Sequence, residues 1–257
     1  METPESSLPG TSSPPSTSLG ARLMNVIATP GEVFEEIAGK PESTANWLTP
    51  VLLACLVGVI GVWTIFAQPA IQQQLKDQQE KQIQKMKIPP AQLENARAAM
   101  EKFTIISAKV GGTVGVVAYN FAGVFLVGLV LWLLGTQVFK ESFTYLKAVE
   151  VAGLSAMISV LNSVVTTLLM VGTGSLYAKL GPSLFITEFD PTNLAHTLMA
   201  SVNLLSLWYV GVVALGLSKL SAVSFGKAAG WLYGLWLVLN AGMVTASWLV
   251  VRAFTPS

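Results

Sequence analysis

The sequence predicts an all-α integral membrane protein: a five-transmembrane-helix bundle with short amphipathic N-terminal helices and a helical hairpin-like loop between spans 1 and 2. Three observations predict it. Five stretches (48–67, 112–134, 151–171, 198–217 and 230–251) contain no Asp, Glu, Lys or Arg. Each has roughly the 20 residues needed to cross a hydrocarbon core. Charged residues make up only 11% of the 257-residue chain, against about 25% in soluble domains, and they sit in the connections. Such segregation excludes a soluble enzyme, a secreted disulfide scaffold and a disordered chain.

Residues 1–19 read as a disordered tail, rich in Ser, Thr, Pro and Gly, with no apolar core and no basic residue. No cleavable signal peptide is visible, so insertion is expected to rely on the first span. Residues 20–252 read as a single membrane domain. Leu19, Leu23, Val26 and Ile27 make an apolar stripe. Thr29-Pro30-Gly31-Glu32 then carries an N-cap Thr, Pro at N1 and Glu at N3, the pattern of a capping box. Val33, Phe34 and Ile37 form one stripe of the helix that follows, with the acidic Glu35 and Glu36 beside it. Such a pair of helices packs on the membrane or the bundle, or it docks a partner.

Trp47 marks the interface before the first span. Trp63, Trp132, Trp231 and Trp248 also lie near span ends, while Trp208 and Trp236 sit deeper. Leu52-Leu53-Ala54-Cys55 matches a lipobox, but it lies early in an apolar run after mostly acidic residues. Cys55 therefore reads as a small residue of a membrane helix. In 68–109, Ile71, Leu75, Ile83 and Met86 recur at helical spacing, Pro89-Pro90 interrupts, and Leu93, Ala96, Met100 and Phe103 resume. This is a helix, a turn and a second helix entering span 2. Seven basic residues against four acidic ones in that loop suit anionic headgroups or a solvated face.

Ser155, Ser159, Ser163 and Thr167 recur every four residues in the third span, so they share one stripe. Small hydroxylated residues let helices approach and bond across the contact, which makes this span the expected centre of the bundle. Gly111-x-x-x-Gly115 and Gly230-x-x-x-Gly234 offer further close contacts. Four spans contain one amide each: Asn120, Asn162, Asn203 and Asn240. An amide in hydrocarbon needs a partner. The layer reads as interhelical glue, or as the lining of a small-solute path. Lys147 and Glu150 flank the third span, within reach of the interface.

Catalytic signatures are absent. His196 is the one histidine and Cys55 the one cysteine, so no zinc site can form from them and no internal disulfide exists. No G-x-S-x-G and no H-E-x-x-H occurs, and Gly226-Lys227 lacks the rest of a phosphate loop. No cofactor, metal or catalytic residue is expected. A net charge of +1 gives no field for nucleic acid. The basic residues do not fix the orientation. Loop 68–109 outweighs the other connections, which by themselves favour a cytoplasmic N-terminus.

Two separated motifs carry a resemblance. Thr29-Pro30-Gly31-Glu32-Val33-Phe34-Glu35-Glu36-Ile37 followed by Trp47-Leu48-Thr49-Pro50 is one. The other is Leu205-Ser206-Leu207-Trp208-Tyr209-Val210 with Ala214-Leu215-Gly216-Leu217-Ser218 and Gly226-Lys227-Ala228-Ala229. Together they resemble bacterial members of the YIP (Ypt-interacting protein) domain family, over about residues 20–250. The resemblance implies five membrane helices, a cytoplasmic N-terminus, here in a bacterial inner membrane, and no catalytic residue. The expected function is non-enzymatic: organising or recruiting partner proteins at the membrane through Val33, Phe34, Glu35, Glu36 and Ile37. The alternative is a small-solute transporter or channel built on Asn120, Ser155, Ser159, Asn162, Ser163, Thr167, Asn203 and Asn240. The expected partners are the lipid bilayer, a membrane or cytoplasmic protein, and a second copy of the chain.

Overall fold

A computed structural model describes residues 17–85, 90–186, 189–190 and 192–254. The expected tail therefore lies almost wholly outside the described residues, as do Met86, Pro89 and Pro191. The side chains of Leu93, Ala96 and Met100 are likewise not described. Among the described residues every regular element is helical.

Helix α1 (Leu19–Ala28) starts at Ser18, whose hydroxyl accepts the Ala21 amide. α2 (Pro30–Ala38) follows at once. The expected capping box is not formed. Thr29 closes α1 while it opens α2, and its hydroxyl points back to the Asn25 carbonyl at 3.5 Å instead of forward to a free amide. α3 (Thr44–Ile65) is the first span, and Cys55 is buried within it. α4 (Pro69–Lys85) and the start of α5 (Pro90–Leu133) form the two arms of the loop. α5 runs on without interruption to become the second span, and a π-helical turn at Leu134–Val138 ends it.

α6 (Tyr145–Thr173) is the third span and begins six residues before the charge-free stretch. Thr144 caps it by accepting the Lys147 amide at 3.1 Å. Gly174 ends it at φ 65°, a left-handed turn that favours glycine. The fourth span is not continuous. α7 (Leu194–Ser201) and α8 (Leu204–Leu220) meet at an angle of 47° across Val202 and Asn203. α9 (Phe225–Phe254) is the last span. Among the described residues four helices are thus long and apolar enough to cross a membrane, and there are five spans where the bent pair counts as one.

α6 lies at the centre, in contact with α1, α3, α5 and α8. Glycines let the backbones close on it. A Cβ at Gly153 would lie 2.2 Å from the Trp47 Cα, one at Gly216 would lie 2.2 Å from Val151, and one at Gly128 would lie 2.7 Å from Val149. In membranes such close packing takes over part of the role that the hydrophobic effect has in water. One end of the bundle gathers α1, α2, the start of α3 and the connections α5–α6 and α8–α9. The opposite end gathers α4 and the loop after α6, where the Gln74 side chain accepts the Leu176 amide and Gln78 donates to the Tyr177 hydroxyl.

Candidate functional site

The chemistry-bearing groups of the molecule converge where α1 and α2 roof over the start of α6. Lys147 and Glu150 lie one turn apart on α6, with Nζ to Oε2 at 2.5 Å. Both are buried, Glu150 to 1% exposure. Lys147 Nζ also donates to the Ile37 carbonyl at 3.1 Å. That carbonyl sits in the last turn of α2, where partial negative charge gathers. The other Glu150 oxygen accepts from Asn46 Nδ2, in the first turn of α3. The Asn46 carbonyl oxygen accepts in turn from Arg22 Nη1 of α1 at 2.9 Å. Arg22 Nη2 donates to the Thr17 carbonyl at 2.9 Å, and its Nε stands 3.6 Å from Glu36 of α2. Glu36 is held by Lys40 at 2.6 Å and by Thr17.

One network therefore links four helices and grades from the solvent-facing Lys40 to the fully enclosed Glu150. A buried charge is tolerated only when paired and hydrogen-bonded, and each charge here is. Burial pushes the Glu36 carboxyl up. Hydrogen bonds from Lys40 and Thr17, with the charges of Lys40 and Arg22, outweigh it and hold the group below the ordinary glutamate value. Lys219 does the same for Glu35 through a 2.6 Å bond, and the Thr144 hydroxyl for Glu42. Lys147 and Glu150 do not reach the interface as expected. α6 starts upstream of the apolar stretch, and the two N-terminal helices cover its first turns.

That roof also corrects the docking surface. Val33, Phe34 and Ile37 are 3%, 0% and 1% exposed. They pack inward, Phe34 against the space that Gly216 leaves on α8. Their apolar stripe serves the bundle and is closed to a partner. Of the five residues expected there, Glu35 is exposed and Glu36 half-buried in the network. The exposed side of α1 and α2 consists instead of Met24, at 67% exposure, with Asn25, Ala28, Glu32 and Glu35.

The two sequence motifs meet here. The first supplies α2 and, through Trp47, the residue seated against Gly153; the second supplies α8, with Gly216 under Phe34 and Lys219 on Glu35. A family model described as the Yip1 domain matches residues 24–246, from within α1 to the far end of α9. The chain belongs to the Yip1 family. No curated protein and no solved structure matches it. The match takes in the second half of α1, all of α2 and the network residues Glu36, Lys40, Asn46, Lys147 and Glu150, while Arg22 and Thr17 lie just before it.

The amides of this Yip1 domain do not form a single layer. Asn203 Nδ2 donates to Asn162 Oδ1 at 2.9 Å, and its own oxygen caps α8 by accepting the Leu205 amide at 2.9 Å. Thr166 adds a 3.3 Å bond to the same Asn162 oxygen. Asn120 turns back to the Val116 carbonyl of its own helix at 2.8 Å. Asn240 is half-buried on α9. The Ser155 hydroxyl is enclosed and bonds the Val151 carbonyl at 2.8 Å, while Thr167 fills the space in front of Gly61. Ser159 and Ser163 are half-buried on the same helix. Glu150 and Asn162 are about 18 Å apart along the axis at 1.5 Å per residue. Val151, Leu154 and Ile158 lie between them at 0% exposure.

His196 sits at the start of α7, where Asn193 provides the cap, and its Nδ1 accepts the Asp190 amide at 3.1 Å. Among the described residues no three His, Cys, Asp or Glu side chains converge to hold a metal ion. Sequence reasoning missed Arg22, Asn46, Lys147 and Glu150 as a unit. The available signal was an i,i+3 charge pair opening an apolar span.

Proposed function

We propose that this Yip1-family membrane protein is non-enzymatic and recruits or organises partner proteins, presenting the outer side of α1–α2 as a preordered platform. The observation that carries this reading is the buried network. It spends two charges, an amide and a guanidinium on fixing two short surface helices to the bundle. Helices of 10 and 9 residues are too short to be stable alone in water. A fixed platform binds without the ordering cost that a flexible segment bears. Its centre is Met24, an exposed adaptable side chain, and its rim carries Glu32 and Glu35. A basic or amphipathic partner suits that chemistry. We place this end on the cytoplasmic side of a bacterial inner membrane, as the family resemblance implies. The dry packing between Glu150 and Asn162 speaks against the solute-path alternative.

The test is affinity purification from mild detergent after in-cell crosslinking. Deleting α1–α2 would strip Glu150 of its cover, so point changes on the outer side are the better probe. Met24→Glu with Glu32→Lys is expected to remove a near-stoichiometric partner while the membrane level stays unchanged. An identical partner set, or only self-crosslinks in both samples, would overturn the platform.

A further inference from the structure

Away from the network, a cleft of about 670 Å³ runs along α9 from Gly226 to Val238, closed on one side by Leu134 of the π-helical turn. That volume is in the range of small-molecule sites, about 300–1,000 Å³. The floor is bare backbone. A Cβ added at Gly226, Gly230 or Gly234 would meet nothing within 4 Å, whereas Gly153, Gly216 and Gly128 are each filled by a neighbouring helix. Glycine in a helix interior costs about 1 kcal/mol relative to alanine. On α6 and α8 close packing offsets that cost; on α9 nothing in the chain does.

The cleft is otherwise apolar, with one charged group, Lys227, at its end in the first turn of the span. Lys227 Nζ lies 5.2 Å from the centre of the Phe139 ring, which holds the ammonium at the mouth. Among the described residues Lys227 makes no ion pair. Lys140 and Glu141, which follow Phe139 in the chain, offset each other. Trp231, half exposed one turn deeper, marks the depth at which headgroup gives way to hydrocarbon.

We infer that this cleft is a binding site for an anionic glycerophospholipid, with an acyl chain along Gly226, Gly230 and Gly234 and the phosphate on Lys227. Its lining suits an acyl chain, since apart from Lys227 every residue along it is apolar or glycine. The charge selects the headgroup, since one lysine at the surface favours an anionic lipid by about five-fold.

Native mass spectrometry of the detergent-purified full chain tests this, with palmitoyl-oleoyl phosphatidylglycerol and the matching phosphatidylcholine as probes. The wild type is expected to retain phosphatidylglycerol in preference to phosphatidylcholine. Lys227→Ala should reduce that preference about five-fold while leaving some binding of both. Gly230→Leu, which projects into open space and so should fold, fills the cleft and should abolish retention of either lipid. Tryptophan-monitored melting checks that both variants are folded. Equal retention by all three proteins overturns the site. So does a Gly230→Leu protein that loses a dimer yet keeps its lipid, which would assign the cleft to a second copy.

Discussion

The start of α6 and the length of α9 are both apolar helix, and they are held in opposite ways. Every residue from Lys147 to Ser155 is buried, and the helix is closed in by α1, α3, α5 and α8. On α9, Leu237, Val238, Leu239 and Met243 are all more than half exposed. In water such exposure would be costly; in a bilayer it is not, because lipid tails are as apolar as leucine. Fixed structure in this protein therefore comes from features that lipid cannot supply: the ion network, the amide bond between Asn162 and Asn203, and glycine-mediated backbone contact. The first end is built as a rigid block and the last span as a lipid-facing wall.

The largest effect is expected from Glu150→Ala. It leaves the Lys147 ammonium enclosed with only the Ile37 carbonyl, and removing one partner of a buried pair costs about 3–5 kcal/mol. Replacing both, as in Lys147→Met with Glu150→Met, should restore most of that, because a well-packed apolar pair is often as stable as the ions it replaces. Leu237→Ala on the exposed wall of α9 should stay within about 0.5 kcal/mol. Unfolding in mixed micelles of rising dodecyl sulfate content, followed by tryptophan fluorescence, measures all three. A Leu237→Ala protein as weak as Glu150→Ala would abolish the distinction between block and wall.

The distinction also explains what the sequence disclosed. Charge-free runs reveal each span because every transmembrane helix must be apolar whatever it touches. The i+4 hydroxyls placed α6 at the centre for a local reason, the periodicity of the helix itself. Which apolar stripe faces protein and which faces outward is not local. Val33, Phe34 and Ile37 look alike whether they meet a partner or α8, and only the glycine at position 216 decides it. Lys147 and Glu150 were visible as a pair, but their burial depends on α1 and α2, over a hundred residues earlier. The pattern of one amide per span predicts Asn203 in a layer within the stretch 198–217. The structure shows it at a helix end, because its side chain offers the backbone a cap that competes with helix continuation.

Asn203 provides a second, smaller test. Its side chain caps α8 and reaches Asn162 at once. Asn203→Ala loses a cap worth typically about 1 kcal/mol and an interhelical bond worth about 0.6–2 kcal/mol. The bend itself has other support: the Leu204 amide bonds the Leu180 carbonyl at 2.9 Å, and a Cβ at Gly181 would collide with the Val202 carbonyl. The variant is thus expected to keep its break and to show faster amide exchange at Leu205 and Ser206. Unchanged exchange there would mean that loop 180–181 alone fixes α8, and that amides contribute little to the rigid block.

The smallest effect concerns the solvent-facing end of the block and has a definite sign. Glu36 and Glu42 both have carboxyls held below the ordinary glutamate value, by Lys40 and Thr17 against the opposing effect of burial in one case and by the Thr144 hydroxyl in the other. A group whose folded pKa is depressed stabilises the fold fully above its unfolded pKa, about 4.3 for glutamate. That contribution is lost as pH falls through the depressed folded value. Acidification should therefore loosen α1 and α2 below about pH 4 while α9, which holds no carboxylate among its described residues, keeps its protection. Hydrogen exchange across that range reads both helices in one experiment. Glu36→Gln should exchange faster in α1 and α2 already at pH 7 and lose most of the pH dependence, because the amide cannot attract Arg22 and Lys40 at any pH. If the variant keeps the full acid response, Glu42 carries it through its bond from the Thr144 hydroxyl. The acid-sensitive contact would then lie between the α2–α3 connection and the start of α6, and not at Glu36.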